Sequence, residues 1–187
     1  MKTVLAPMLL LFAVVTTNAQ DKLPYYEIPK EAKKFTQGSV ISRMIDGVGF
    51  RYYWATEGLT EKDLAYKPSA EAKTAGETID HILSLSEVIK NAALNQSNDK
   101  KEVEMTFAQK RKATLENLKQ ASDILRESND ISQFKIIFGE NKFPLWNAIN
   151  GPIADAIWHA GQLASFRRAS GNPINSKINH FTGTVRQ

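Results

Sequence analysis

Apolar residues recur at helical spacing in four stretches of the chain. In the first, from about Gly38 to Gly58, Ile41, Ile45, Val48, Tyr52, Ala55 and Leu59 share one face. Gly47 and Gly49 interrupt it, and their expected use is close approach of a neighbouring helix. In the second, Thr78, His81, Leu85, Val88 and Ala92 form the stripe, widened by Ile82 and Ile89. Thr74-Ala-Gly-Glu77 opens it with the form of a capping box, and Thr106-Phe-Ala-Gln109 opens the third in the same way. The third stripe, Phe107, Thr114, Leu115, Leu118, Ala121 and Leu125, carries no ligand-type residue. The fourth runs from Phe143-Pro144, with proline in a first-turn position, to about Ser170. Ala148, Pro152, Asp155, His159, Gln162, Leu163 and Phe166 share its inward face, and Pro152 predicts a kink one turn before Asp155. Gly171-Asn-Pro173 ends it.

Between these stretches lie shorter signals. Thr60-Glu-Lys-Asp63 predicts a capped turn, and Phe134 to Phe138 is strand-like. The pattern defines an all-α protein, a four-helix bundle over residues 38–171. An extended N-terminal arm, 20–37, precedes it, and a loose C-terminal tail, 172–187, follows.

Composition narrows the classes. The 187 residues are 42% hydrophobic and 24% charged, enough for one domain with a real core. The net charge of +4 is made of mixed signs, and the densest basic run, Lys110-Arg-Lys112, reads as a solvated helix face. Nucleic acid is therefore not an expected partner. There is no cysteine, which excludes disulfides, thiolate metal sites and a cysteine nucleophile.

Residues 1–19 have the form of a secretory signal peptide. Lys2 precedes an apolar run from Val4 to Val15, and Thr17-Asn-Ala19 supplies the small-residue exit. The apolar run is short for a bilayer span. Cleavage before Gln20 and a periplasmic or secreted location are expected, with no membrane span in the mature chain.

The polar residues on the apolar stripes carry the chemistry. Asp155 and His159 lie four residues apart, so one stands above the other on the helix. That pair alone is equally a core Asp–His hydrogen bond or two metal ligands. His81 adds a second imidazole from another helix. Two histidines and one carboxylate, with water in the remaining positions, suit zinc or non-haem iron. The di-iron pattern fits poorly, because neither Glu77 nor Asp155 has histidine three residues on. Glu77 is explained by its cap. Gln162 could orient a ligand or substrate, but a buried amide bonded to backbone is the favoured reading. Tyr52 and Arg51 are candidate pocket contacts, and the catalytic base is unassigned. His180, in the tail, is expected to take no part.

Thr78-Ile-Asp-His81-Ile-Leu83, Trp158-His-Ala-Gly-Gln162-Leu163 and Arg167-Arg-Ala-Ser-Gly171 resemble the DinB/YfiT-type four-helix bundles. Members of that family hold one divalent metal through a histidine of the second helix and a His-x-x-x-His pair of the last. His81 and His159 match the outer positions, and Asp155 replaces the middle histidine. A carboxylate there makes the site harder and removes one positive charge, so zinc, nickel, iron and manganese stay open. The resemblance implies a metal-dependent hydrolase or transferase, thiol S-transfer included, acting on a small molecule. Export favours hydrolysis over thiol transfer. The competing reading is a non-catalytic small-molecule-binding or stress protein on the same bundle. Bundles of this kind often form homodimers, but no exposed stripe marks a pairing face.

Overall fold

The computed structural model describes residues 22–99 and 103–187. The expected signal peptide lies outside the described residues. The chain is mostly helical: α1 (Gln37–Thr56), α2 (Glu61–Leu64), α3 (Ala75–Leu94), α4 (Phe107–Arg126) and α5 (Ala154–Ser170). The long helices α1 and α3 each pack against both α4 and α5. Among the described residues, no helix is long and apolar enough to cross a membrane.

Local chemistry fixes the helix starts. Thr74 Oγ1 accepts from the Glu77 N–H at 3.1 Å, and Glu77 Oε2 accepts from the Thr74 N–H at 2.7 Å. Thr106 and Gln109 do the same, and Thr60 with Asp63 caps the short α2. Each cap satisfies orphan backbone donors and contributes on the order of 1 kcal/mol. The core between the helices is built from fully buried Ile41, Ile45, Tyr52, Ile79, Ile82, Ile89, Leu115, Leu118 and Leu125. Burying each aliphatic side chain stabilises by about 1.5–3 kcal/mol.

Gly47 and Gly49 do not receive a neighbouring helix. A Cβ on Gly49 would stand 2.3 Å from the ring of Tyr25, so the arm, not a helix, makes the close approach. Tyr25 takes a left-handed φ of 73°, a cost of about 1–3 kcal/mol for a non-glycine residue, offset by burial of its ring. Tyr26 packs edge-on against Tyr53 and tilted against Trp54, and its carbonyl accepts from Trp54 Nε1 at 3.1 Å. Tyr53 and Trp54 of α1 thus pack against the arm.

The fourth stretch departs most from its pattern. Phe143 and Pro144 do not open a helix. They end strand β2 (Asn141–Pro144), which pairs antiparallel with β1 (Lys135–Phe138), Phe143 opposite Ile136. Gly139, at φ 55°, turns the chain back, and Pro144 is tolerated because β2 is an edge strand. The kink does fall at Pro152. Residues Ile149–Ile153 form a π-type segment in which Gly151 leaves helical dihedrals. Proline disfavours helical backbone at the residue before it and cannot donate to the helix ladder.

That fault corrects the predicted inward face of α5. The buried residues are Ala156, Ala160, Leu163 and Arg167, not Asp155, His159, Gln162 and Phe166. On α3 the buried set likewise centres on Ile79, Ile82, Ser86 and Ile89, leaving His81 on its flank.

The tail is not loose. Strands β3 (Ile178–Asn179) and β4 (Thr184–Val185) form a small hairpin, with Ile178 buried. Its Gly183 carbonyl accepts from the Ile28 N–H of the arm at 2.9 Å.

The C-terminal end of α5 is locked by buried Arg167. Its guanidinium donates to Trp54 O at 2.8 Å, Ala55 O at 3.3 Å, and Asn172 O and Oδ1 at 2.6 and 3.0 Å. A lysine cannot reproduce this fork. Arg167→Lys should cost about 2–4 kcal/mol in urea unfolding, since it strands buried carbonyls. A loss below about 0.5 kcal/mol would mean those carbonyls find other partners.

Asp63 completes the lock. Burial acts to raise its carboxyl, but hydrogen bonds from Ser170, Asn172 and Thr60 outweigh it and hold the group far below the usual carboxylate range. Its folded pKa thus lies below the unfolded value of about 3.9. The stability it contributes is complete above that value and is lost as pH falls through the folded pKa. Asp63→Asn should lower stability at neutral pH and flatten the acid limb of a stability–pH curve. Parallel curves for the two proteins would contradict this.

Candidate metal centre

His81 projects from the second turn of α3, and Asp155 and His159 from the first turns of α5. The rephasing at Pro152 turns the α5 pair towards α3. Asp155 Oδ2 lies 3.1 Å from His81 Nε2, and Asp155 Oδ1 lies 3.3 Å from His159 Nε2. The two imidazole rings stand perpendicular, with centroids 4.6 Å apart. One ligand atom from each of the three residues lies within 4.8 Å of the others. The three are close enough to hold a metal ion.

The donor set can be tested against a divalent cation. With metal–ligand bonds of about 2.0–2.2 Å, the edges of a tetrahedral site measure about 3.3–3.6 Å. The two Asp155–histidine separations are already near that length. Both nitrogens are Nε2, and both face the carboxylate. His159 Nδ1 lies 2.7 Å from Gln162 Oε1. An amide oxygen only accepts, so Nδ1 carries the proton and Nε2 keeps its lone pair towards the site. The residues fit a divalent metal held by two imidazoles and one carboxylate.

The centre is half open. Side-chain exposure is 34% for His81, 41% for Asp155 and 19% for His159. Asp155 is therefore not the buried carboxylate that the sequence pattern implies, and its charge needs no cation to be tolerated. The openness instead leaves a face free for solvent and small molecules.

Other candidates are distributed elsewhere. Gln162 is on the site, bonded to His159 rather than to backbone. Glu77 is exposed and committed to its cap, its carboxyl held below its usual range by the Thr74 N–H and hydroxyl. Tyr52 is fully buried in the core, and burial pushes its phenol well above its ordinary value. It presents no surface to a substrate. Arg51 donates to Gly47 O at 3.0 Å and lines a small cleft with Ile157, Gly161, Ala164 and His180, on the opposite side of α5 from His159. His180 packs edge-on against Phe50, and burial followed by the Arg51 charge lowers its pKa.

Sequence reasoning missed two polar clusters. One is the Arg167 fork, whose only signal was an arginine just before a helix-ending glycine. The other is fully buried Asp46, which accepts from Ser122 Oγ and Arg126 Nη2, both at 2.6 Å. Asp46 stands one residue from the apolar stripe of α1, where period alone marks it as flank.

Comparison of the chain with protein-family models, with curated proteins and with solved structures finds no match in any of the three.

The Gln162 contact is open to test. Removing the partner that fixes a ligand histidine's tautomer costs roughly 10–100-fold in metal affinity. Gln162→Leu should weaken zinc binding by about that factor in a competition titration with a chromogenic chelator. Unchanged affinity would mean that Gln162 does not orient His159.

Proposed function

We propose that this chain is an exported four-helix-bundle protein of the DinB/YfiT type. In this reading it holds one divalent metal through His81, Asp155 and His159 and uses it in hydrolysis or group transfer on a small molecule. The observation that carries the reading is the convergence of those three side chains, from two helices, within 4.8 Å. Support for the kinship comes from the motifs around His81, His159 and Arg167 and from four long helices, of which α1 and α3 each pack against α4 and α5. Export rests on residues 1–19 alone.

The chemistry a divalent cation supplies in such a site is Lewis acidity, lowering the pKa of water or thiol at its open positions and polarising a substrate oxygen. The chain's own residues do the rest. Asp155, between the two Nε2 atoms at 3.1 and 3.3 Å, would offer the cation its carboxylate. Gln162 holds the proton of His159 on Nδ1. The exposed flank admits substrate beside a shallow groove bordered by Lys73, Asp80 and Ser84. Asp80 is paired with Lys110 and Glu77 with its cap, so neither is assigned as catalytic base.

A second reading, a non-catalytic binder of small molecules, draws on a separate feature, an apolar cleft beside α1. Metal stoichiometry separates the two. Protein purified without chelator should carry about one metal per chain, and His81→Ala should lose it. Chelation should lower the melting temperature, because a ligand at a hundred times its Kd stabilises the folded form by about 2.7 kcal/mol. Equal metal content in parent and His81→Ala protein would end the metal-centre reading.

A further inference from the structure

On the opposite end of α1 from its Arg167 contact, two adjoining cavities share Phe35, Val40 and Met44. The larger encloses about 640 Å³ and is walled by Ile131, Pro144, Trp146 and Ile149. That is within the roughly 300–1,000 Å³ of small-molecule sites. Its walls stand out of the surface, with Phe35 74% and Trp146 66% exposed. Large aromatic rings are seldom left together in water without use. The smaller cavity, about 430 Å³, is bordered by Lys30, Arg43 and Arg126 with one acid, Glu31. Arg126 is committed to buried Asp46. Arg43 gives Nη1 to Pro29 O at 2.8 Å and lines the cavity. In the larger cavity the single acid, Asp130, is tied up by the Ser132 N–H and hydroxyl.

The cleft is held in shape by hydrogen bonds across it. Gln37 Oε1 accepts from the Ile131 N–H at 3.2 Å, and Thr36 Oγ1 donates to Ser128 O at 3.0 Å. An apolar trough that ends at Lys30 and Arg43 matches a ligand with a hydrocarbon chain and one anionic head. We propose that this cleft binds a single-chain fatty carboxylate, its chain between Phe35, Met44 and Trp146 and its head at Arg43 and Lys30. The site shares no residue with the metal centre and does not depend on it.

Tryptophan fluorescence tests the assignment in the whole purified protein. Dibromostearate, a heavy-atom quencher, should quench saturably at one molecule per chain, and Trp146→Phe should remove most of that quenching. Val40→Asp and Phe35→Asp alter exposed side chains, so both should melt near the parent temperature while binding at least about tenfold more weakly. Arg43→Gln should weaken the carboxylate but not the chain-matched alcohol. The absence of saturable quenching would overturn the proposal, as would quenching that survives Trp146→Phe. Equal affinity for acid and alcohol would overturn the head-group assignment. Quenching seen only when the bromolipid is presented in phosphatidylcholine–phosphatidylglycerol vesicles would replace a single-chain ligand with a membrane surface.

Discussion

Pro152 has no N–H to give, and its ring expels the preceding residue from helical backbone. Gly151 accepts that displacement, and the fault is absorbed in the π-type segment Ile149–Ile153. Everything downstream on α5 takes its azimuth from there. With Ala156, Ala160 and Leu163 turned to the core, Asp155, His159 and Gln162 fall on the flank that meets α3. A change of phase by one residue is a rotation of about 100°. It would carry Asp155 either into the core, unpaired, or away from His81 into solvent. The candidate centre is thus a consequence of where one backbone donor is missing.

An azimuth has to be held as well as set. Two of the four buried residues of α5 are alanines, and a buried methyl-sized group contributes only about 0.8 kcal/mol. The four hydrogen bonds of Arg167 are therefore a comparable or larger share of what fastens the helix. A hydrogen bond to a charged group is worth about 1.5–3 kcal/mol, and Arg167 spans the ends of α1 and α5 together. Asp63, Ser170 and Asn172 then pin the short α2 to the same corner. The π-type segment fixes one end of α5, this corner fixes the other, and the turns that carry Asp155 and His159 lie near the first.

The sequence was legible where the governing interaction is local. The Thr74–Glu77 and Thr106–Gln109 caps act within four residues, and both form as their patterns imply. The equivalent box at the start of α1 escaped notice because its N3 residue is Ser39 rather than Glu or Gln. Phe143-Pro144 fits a helix start as well as an edge strand, and only the turn at Gly139 decides between them. The inward face of α5 could not be read by counting through Pro152, since a π-type turn breaks the period on which the count depends. His81, Asp155 and His159 nevertheless lie together, because the i to i+4 spacing of Asp155 and His159 survives a rigid rotation of the helix. Burial does not survive it, which is why Asp155 proved half open.

That openness bears on why the trio exists. A half-exposed Asp–His contact contributes at most about 1 kcal/mol, since solvent screens it and competes for its hydrogen bonds. Two histidines and an aspartate on facing flanks thus do little for the fold that a glutamine or an alanine would not do. Gln162 sharpens the point: its bond to His159 Nδ1 fixes a tautomer, and a tautomer matters only if the other nitrogen has something to bind. Structural metal sites in small domains release on the order of 10 kcal/mol on binding, far more than the hydrogen bonds they replace. The three side chains are close enough for a cation to draw on that larger energy.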